Sequence, residues 1–468
     1  MSELPLSPDP RSGRKRAKPI DTQVERFLRA VRDGKAAAAR RLLNSYPEIA
    51  GANAFTAAAA GRPDLLAEII RADARAALAT HGPDEWPPLA FACRSPFHRI
   101  SERHAEQLRE AANLLLSAGA SPNSGSVWRG GDGAKAPISV LYHACMSNHV
   151  ALVELLLERG ARTDDGESIY HAAQHNRRAC LERLVAHGAD LSSRQEPYGN
   201  TPLYFLVGHD SDDEGRAPWF KGLVWLLAHG ADPNVPSYTS GEAPLHGLAA
   251  GRPKLATLKQ LLAHGADVNL PRADGRTPYR IAVRHGNAAI ASLLLEHGAE
   301  PSGLLPIEEF LGACLAADAG RARAILASHP ALPAAMTGED RAAMVDAVRQ
   351  DSASAIRLMV ALGFQLDWED TGGGTALHSA AWLGKPELVR VLIELGAPIN
   401  LRDSRFGCSP LAWAAHSSQF QHDDERYRAI IDLLIDAGSL REATVNRWGE
   451  SMTGSRRVLK HLEERGFA

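Results

Sequence analysis

The residues that come nearest to metal chemistry lie in one acidic run over residues 209–215. Four of them match positions 1, 3, 5 and 6 of a calcium-binding EF-hand loop, namely Asp210, Asp212, Glu214 and Gly215. The twelfth position of such a loop requires a bidentate Glu, but it is Lys221 here, and Pro218 interrupts the loop. We therefore interpret this run, and the similar run ending in Asp423, Asp424 and Glu425, as solvated loops, and we predict no metal site.

The other chemical motifs are incomplete. Residues 449–456 have the spacing of a phosphate-binding loop, but Ser455 stands where the Lys is required. His98 and His104 are six residues apart, so a helix would not place them on one face. The sequence has no HExxH, GxSxG or GxGxxG pattern. We predict no catalytic residues and no cofactor, and we expect a structural role for histidines near helix ends, which can face free carbonyls: His229, His264 and His297.

Five cysteines are scattered along the chain without CxxC spacing: Cys93, Cys145, Cys180, Cys314 and Cys408. An odd number without such spacing argues against a disulfide framework and against a zinc site. Several of them occupy a position that Ala fills elsewhere, so we predict that they are small buried apolar residues. A reducing, cytoplasmic location fits this use of cysteine best.

Composition narrows the class of protein. The chain has 468 residues, of which 45% are hydrophobic, and this is ample for a folded core. Its 52 basic and 55 acidic residues give a net charge of −3, so there is no global basic field for a nucleic-acid partner. No run of 18 apolar residues and no signal peptide is visible, so we expect neither a membrane partner nor secretion.

The elements that would have to position any functional residue repeat along the chain. A helix-like apolar run recurs and ends at glycines 119, 160, 188, 230, 265, 298, 363, 396 and 438. Two of the intervals are 33 residues, and 65 is close to two such periods. A glycine after the last helical turn adopts the left-handed conformation that ends a helix. The repeat therefore predicts a helix that ends at each of these glycines.

A second signature precedes several of these runs, at residues 199–203, 275–279, 374–378 and 407–411. In most of them Thr or Ser is followed by Pro, which is typical of a helix start because the hydroxyl caps the helix and Pro suits its first position. Each repeat is thus predicted to be a turn, a short helix, a turn and a longer helix.

These two signatures together resemble the ankyrin repeat, whose pattern joins G-x-T-P-L-H-x-A-A to L-L-L-x-x-G-A-D-x-N. The resemblance covers about residues 21 to 438 and extends to bacterial multi-ankyrin-repeat proteins. It implies a mainly α solenoid of stacked helix-turn-helix units with short hairpin-like loops, roughly twelve units in number.

A longer duplication predicts two arrays. Residues 24–30 align with residues 307–313, and Leu43 and Pro47 match Leu326 and Pro330 at the same offset. Both segments lack the Thr-Pro start, as the capping unit of a solenoid often does. We therefore predict the following organisation: an N-terminal tail at 1–20 that is disordered, a first array at 21–300, a second array at 301–438 and a C-terminal capping segment at 439–468.

Four insertions interrupt the pattern, at residues 94–107, 121–136, 210–218 and 417–425. Segment 121–136 is rich in Gly and Ser, so we expect it to be a flexible link between units. The sequence assigns no role to any of the four.

Since no catalytic, cofactor or metal site is predicted, we expect the function to reside in a binding surface. The resemblance implies that loop tips and the ends of the first helices face a concave groove, whereas Leu392 on a second helix is expected to be core. Aromatic and Arg side chains are the usual anchors of interfaces. The candidates for partner binding are Tyr198, Tyr238, Arg272, Arg284, His285, Trp368, Trp382, Arg405 and Phe406.

The predicted function is thus a noncatalytic scaffold that binds an unidentified protein partner on the concave ankyrin surface. The alternative is an enzyme-like or metal-regulated role of the insertions near Asp210 and Asp423. The sequence sets no oligomeric state.

Overall fold

The computed structural model describes residues 20–129, 135–194, 199–209, 215–252, 254–370, 372–421, 423–441, 446–447 and 453–467. These residues form mainly short helices in successive pairs whose members pack on each other. Contacts divide the chain into two compact units, with the division between Ser240 and Gly241. None of the described helices is long and apolar enough to cross a membrane.

The α-helices described in the first unit are α1 Ile20–Arg32, α2 Ala36–Ser45, α3 Ala54–Ala60, α4 Pro63–Ala72, α5 Pro88–Arg94, α6 Glu102–Ser117, α7 Val140–Ser147, α8 Val150–Glu158, α9 Ser168–Gln174, α10 Arg178–Ala186, α11 Pro202–Val207 and α12 Pro218–Ala228. Short 3-10 helices span Pro47–Gly51, Ala74–Ala77 and Pro96–Arg99. Strands β1 Gly125–Arg129 and β2 Lys135–Ser139 pair antiparallel, with Val127 opposite Pro137.

The α-helices described in the second unit are α13 Pro244–Ala250, α14 Leu255–Ala263, α15 Pro278–Arg284, α16 Ala288–Glu296, α17 Pro306–Leu315, α18 Ala319–Ser328, α19 Leu332–Ala335, α20 Gly338–Arg341, α21 Ala343–Arg349, α22 Ala353–Ala361, α23 Ala376–Trp382, α24 Pro386–Glu394, α25 Pro410–Gln421, α26 Asp424–Asp436 and α27 Arg456–Glu464.

The helix ends agree with the sequence prediction. All nine glycines at the ends of the apolar runs have a positive φ, for example +99° at Gly119 and +104° at Gly438. The predicted helix starts are also confirmed, because the hydroxyls of Thr201, Thr277 and Thr375 accept hydrogen bonds from the third backbone N–H of their helices. These caps fix where α11, α15 and α23 begin.

The core of each unit lies between neighbouring helix pairs. First helices pack on the first helices of the next pair, as α5 does on α7 and α23 does on α25. In the first unit Phe27 and Phe91 are fully buried, and in the second unit Phe310, Leu392 and Tyr427 are. The predicted burial of Leu392 is therefore confirmed. Stability in such a stack comes from contacts between neighbours rather than from one central core.

The cysteines behave as small apolar residues in four of five cases. Cys93, Cys145, Cys180 and Cys314 are buried, whereas Cys408 is half-buried. Burial raises the pKa of the Cys314 thiol to about 12, so this thiol is protonated at neutral pH. The prediction of buried thiols is confirmed for these four residues.

Asparagines in three loops connect consecutive repeats with the same pair of hydrogen bonds. Asn269 donates from Nδ2 to the Gly298 carbonyl, 3.0 Å away, and its Oδ1 accepts from the Glu300 backbone N–H at 2.9 Å. Asn123 binds Gly160 and Arg162 in the same way, and Asn400 binds Gly438 and Leu440. The Asn of the repeated pattern therefore forms hydrogen bonds with one backbone carbonyl and one backbone N–H of the following repeat.

The insertions are more ordered than the sequence predicts. The expected flexible link at 121–136 is wrong for residues 125–129 and 135–136, which belong to the hairpin. Val127 and Ile138 favour strand conformation, and the Val127 N–H donates to the Asp84 carbonyl at 2.8 Å. Segment 94–107 contains a 3-10 helix and the start of α6, and segment 417–425 extends α25 and begins α26. Residues 210–214 lie outside the described residues.

The two-array organisation stays a prediction. Its boundary between residues 300 and 301 falls inside the second compact unit. Near this boundary α17 packs closely on α15, and a Cβ on Gly312 would stand 2.0 Å from the Val283 carbonyl oxygen. At the C-terminus Val458 and Leu462 of α27 are buried, which fits a capping segment at 439–468. The predicted tail at 1–20 lies outside the described residues apart from Ile20.

Candidate partner-binding surface

The first-unit candidates lie near the tip that contains Gly199. Tyr198 lies outside the described residues. Tyr238 is 48% exposed, and its backbone N–H donates to the Gly199 carbonyl at 2.9 Å. The Arg194 guanidinium lies 5.9 Å from the centre of the Tyr238 ring, within the range of a cation–π contact. Tyr238 therefore presents an aromatic surface at a loop tip.

The guanidinium groups of Arg272 and Arg284 form ion pairs within the second unit and are not freely exposed to solvent. Arg272 binds Glu242 at 2.8 Å and Asp274 at 2.6 Å. The hydrogen bond from Arg272 is the largest cause that holds the pKa of Asp274 far below its usual range. Arg284 is only 4% exposed and binds Asp340 at 2.8 Å. These two arginines serve first to join parts of the second unit.

Glu308 is the buried centre of the same network, and the sequence reasoning missed it. Its carboxylate is fully buried and accepts from Arg276 and Arg280, each at 2.9 Å, and from the Leu305 backbone N–H at 3.0 Å. Burial opposes ionisation of Glu308, but these three donors together keep its pKa below the usual value. The sequence signal for this network is a row of arginines at intervals of four positions: Arg272, Arg276, Arg280 and Arg284.

His285 and Trp368 are half-buried and are also engaged within the unit. The Nδ1 atom of His285 lies 3.4 Å from the Asp346 carboxylate. Trp368 packs on Phe364 with 5.7 Å between ring centres, and the Arg341 guanidinium lies 5.0 Å from the Trp368 ring. Part of each side chain remains accessible beside these contacts.

Trp382 belongs to a group of aromatic side chains on α23 and α25, which we call the aromatic cluster: Trp382, Trp413, His416 and Phe420. The ring centre of Trp382 lies 5.7 Å from that of Trp413 and 6.3 Å from that of Phe420. Phe420 is 58% exposed, whereas Trp382 and Trp413 are half-buried. The cluster is thus an apolar surface with an exposed rim.

Phe420 is not among the sequence candidates because residues 417–425 interrupt the repeat pattern as an insertion. These residues continue α25 as far as Gln421, so Trp413, His416 and Phe420 stand at helical spacing on one face. The hydroxyls of Ser417 and Tyr427 both donate to the Trp382 carbonyl at 2.7 Å. These bonds fix the end of α23 against the extended helix.

The tip that carries Arg405 and Phe406 is ordered by one buried carboxylate. Asp403 is 2% exposed, and it accepts from the backbone N–H groups of Arg405, Phe406 and Cys408. Arg405 and Phe406 are exposed, and the Arg405 guanidinium lies 5.1 Å from the Phe406 ring centre. The structure therefore brings these two candidates together as one cation–aromatic pair.

The histidines at helix ends have the predicted structural role. His229, His264 and His297 each place Nδ1 within 2.7–2.9 Å of a carbonyl in the last turn of their helices. In the first helices, His246 and His378 reach the carbonyls of Leu270 and Cys408, respectively, in the next loop. Burial lowers the pKa of His246 and that of His378.

The described residues contain no group of three His, Cys, Asp or Glu side chains that could hold a metal ion. Asp423 caps α26 by accepting from the Arg426 backbone N–H, and its carboxylate lies 3.1 Å from the Arg426 Nε atom. The acidic residues of the other run, Asp210, Asp212 and Glu214, for which no metal site is predicted, lie outside the described residues.

The family model described as ankyrin repeats (3 copies) matches residues 97–195, 141–213, 219–303, 314–403 and 344–440. These matches cover well over half of the chain. The chain belongs to the ankyrin-repeat family. Ankyrin repeats typically mediate protein–protein interaction, so this coarse function follows from the family.

Curated relatives of this ankyrin-repeat chain include the protein phosphatase 1 regulatory subunit 12A of Mus musculus and that of Rattus norvegicus. Each is 36% identical over 94 residues, which are 20% of this chain. The chain spans only 8% of the length of these relatives.

Solved structures that resemble this chain are also ankyrin-repeat domains. The domain of human ASB11 is 24% identical, with a TM-score of 0.38, 53% of this chain covered and 99% of that chain covered. The domain of Bcl-3 is 21% identical, with a TM-score of 0.36, and the match covers 58% of this chain and 97% of that chain.

Proposed function

We propose that this ankyrin-repeat chain is a noncatalytic scaffold that binds a protein partner on the concave face formed by the first helices and the loop tips. The single observation that supports this most is the aromatic cluster of the second unit. Its members come from two consecutive first helices, α23 and α25, and this supports a binding face on the first helices.

The aromatic cluster has the chemistry of an interface anchor. Tryptophan and other large aromatic side chains supply much of the binding energy of protein interfaces when they are half-buried beforehand and lose water on binding. Leu383 beside the cluster is 36% exposed, and this extends its apolar area. The pair of Arg405 and Phe406 on the adjacent tip adds a charged and apolar rim.

A polar edge borders the cluster. Gln419 donates from Nε2 to the Thr453 hydroxyl at 3.1 Å, and His416 is hydrogen-bonded to the same hydroxyl. An apolar centre with a polar rim is the usual anatomy of a protein interface. This arrangement supports a protein partner, and it offers no cofactor or nucleic-acid chemistry on which to base another proposal.

The alternative, an enzyme-like or metal-regulated role near Asp210 and Asp423, has less support. The carboxylate of Asp423 is occupied by the cap of α26 and by Arg426. The curated relatives are by name regulatory subunits, which also favours a binding role over a catalytic one. We retain a cytoplasmic location as part of the proposal because four of the five cysteines are buried free thiols.

The test begins with partners captured by the full chain from a lysate of its source and identified by mass spectrometry. Each is then titrated with wild-type protein and with Trp382→Ala and Phe420→Ala. We expect a loss of about 2 kcal/mol or more in binding free energy for at least one of the two variants, the usual cost at an interface anchor.

The matched control is Leu295→Ala, since Leu295 is an apolar residue that is 42% exposed on the second helix α16 and does not belong to the aromatic cluster. It should leave the affinity unchanged. A partner whose affinity is insensitive to both aromatic variants, or which Leu295→Ala weakens equally, would contradict the proposed surface.

A further inference from the structure

Three arginines converge on a cavity of about 220 Å³ in the first unit, far from the aromatic cluster in sequence. The cavity lies beside the turns between first and second helices. Its lining residues are Gly34, Arg94, Pro96, Arg99, Met146, Ser147 and Arg177. Gly34 and Arg99 are exposed, so the cavity opens to solvent. Two of its arginines belong to segment 94–107, the insertion to which the sequence assigned no role.

Backbone contacts hold two of the guanidinium groups in place. Arg94 is the last residue of α5, and its Nε donates to the Arg32 carbonyl at 3.1 Å. Arg99 ends the 3-10 helix, and one Nη donates to the Ser147 carbonyl at 3.1 Å. Each of these bonds uses one N–H and leaves further donors of the guanidinium for a ligand.

Arg177 contributes the third guanidinium from the turn before α10. Its Nε is buried and has no hydrogen-bond partner among the described residues. A buried donor without a partner is costly, so such a group usually marks a site that something else completes.

None of the three arginines forms an ion pair with a carboxylate in the described part of the chain. Asp33, the acidic residue that acts on Arg94 from nearby, binds Lys35 at 2.8 Å. Burial lowers the pKa of Arg94, and the like charges of Arg99 and Arg177 lower it further. By contrast, the arginines around Glu308 in the second unit are all paired.

We propose that this cavity binds a phosphate monoester. Three converging positive charges match a dianion better than a singly charged carboxylate, and the planar guanidinium is suited to bidentate bonds with phosphate oxygens. The volume is below the roughly 300 Å³ at which pockets for drug-sized ligands begin, so it suits one compact anionic group rather than a whole metabolite. The proposal is independent of the protein partner at the aromatic cluster.

The phosphate monoester can come from a phosphorylated side chain of a protein or from a small phosphorylated molecule. Calorimetric titration of the full chain distinguishes these sources with three probes: a phosphoserine-containing peptide, free O-phospho-L-serine and inorganic phosphate. The unphosphorylated peptide, acetate and a single-stranded oligonucleotide are the reference titrants. We expect saturable binding of at least one phosphate monoester that the reference titrants do not reproduce. Tighter binding of the phosphopeptide than of O-phospho-L-serine identifies a protein source, and equal binding identifies a small molecule.

The variants are Arg99→Gln and Arg177→Gln, and each should weaken phosphate monoester binding at least tenfold. The matched controls are Arg103→Gln and Arg178→Gln, which remove exposed arginines from the same two segments and do not line the cavity. They should change the affinity by less than twofold. If Arg177→Gln fails to fold, Arg177→Lys keeps the charge but loses the planar fork, and it should still weaken binding several-fold.

Three results would overturn the proposal. The first is no saturable binding of any phosphate monoester to folded wild-type protein. The second is equal weakening by Arg178→Gln and by Arg177→Gln, because it would indicate a diffuse charge effect. The third is binding of the oligonucleotide that Arg177→Gln weakens and that is at least as tight as the binding of every phosphate monoester. None of these results bears on the protein partner, whose test uses different variants.

Discussion

Trp413 donates its indole N–H to the carboxylate of Asp403, with 3.1 Å between Nε1 and Oδ2. This bond joins a first helix, α25, to the loop tip that carries Arg405 and Phe406. Since Asp403 also accepts three backbone N–H groups of its own loop, one buried carboxylate sets both the tip and the edge of the aromatic cluster. Two parts of the proposed binding face therefore depend on each other through this pair.

Replacing Asp403 with Ala should loosen the tip. Three backbone N–H groups and the Trp413 indole would lose their acceptor, and we expect a loss of about 2 kcal/mol in the free energy of unfolding. Urea titration followed by tryptophan fluorescence measures it. Asp367→Ala is the control, because Asp367 is an exposed acidic residue of the preceding loop and should cost under about 0.5 kcal/mol. Equal stability of the two variants would contradict the role of Asp403.

Leu392 and Trp382 separate core from binding face within one repeat. Leu392 is fully buried, so Leu392→Ala should cost about 2–5 kcal/mol of stability. Trp382→Ala should cost about 1–2 kcal/mol, because the half-buried ring loses its aromatic neighbours but is not core. Thermal melts of the two variants decide the matter. If Trp382→Ala melts as early as Leu392→Ala, the tryptophan is core and the binding face is misplaced.

Removal of the Glu308 side chain should be strongly destabilising. Glu308→Ala leaves Arg276 and Arg280 without their buried partner, and breaking a buried ion pair on one side costs about 3 kcal/mol or more. Equilibrium unfolding in urea measures the loss. The control is Glu300→Ala in the same unit, since the Glu300 side chain is exposed, and its stability should match that of the wild type. A neutral Glu308→Ala would show that the network is a surface feature.

The first unit should lose stability in mild acid. Burial lowers the pKa of His143 to about 3, and burial together with the nearby His98 lowers that of His149 to about 4. Both values lie below the roughly 6.5 of an unfolded chain, so the unfolded state takes up more protons as the pH falls. Stability is full above about pH 6.5, and by pH 5 each histidine should cost about 2 kcal/mol, at about 1.4 kcal/mol per pKa unit.

The measurement is the midpoint of thermal unfolding between about pH 7 and pH 5. His149→Asn keeps a side chain that can cap α8 but does not titrate, so its midpoint should fall less over this range. His297→Asn removes an exposed histidine from the second unit and should follow the wild type. A wild-type midpoint that does not change with pH would contradict this account.

The two-array prediction can be tested with fragments. Residues 301–468 should form a soluble, cooperatively folded fragment, because stability in a solenoid is nearly a sum of local terms. It should melt several degrees below residues 241–468, since it lacks the face of α15 on which α17 packs and the partners of Glu308. Circular dichroism melts of both fragments measure this. An insoluble 301–468 beside a folded 241–468 would show that the arrays are one unit.

Much of the fold was predictable because its determinants are local. The left-handed glycines, the Thr caps and the burial of Leu392 follow from residue type and short spacing. The ion pairs of Arg272 and Arg284 were not predictable in this way. Their partners Glu242, Asp340 and Glu339 lie 30–67 residues away along the chain. Only the packing of neighbouring repeats within the second unit brings these side chains together.

The candidate site was predictable only in part. Trp382 was found from its place at the end of a first helix, but Phe420 was hidden by an irregular segment that in fact prolongs α25. The three arginines of the cavity, Arg94, Arg99 and Arg177, lie up to 83 positions apart, and nothing in the repeat pattern marks them. Features that depend on how irregular segments fold onto regular ones need the three-dimensional structure.

The asparagine bridges have a consequence for how such a chain changes length. Asn123, Asn269 and Asn400 each close a junction with the same two hydrogen bonds to the following unit. A repeat gained by duplication after one of them would present the same acceptor and donor in the loop that follows its second helix. The junction chemistry is thus interchangeable among these three positions, and the genetic loss or gain of a whole repeat there would keep the bridged carbonyl and N–H paired.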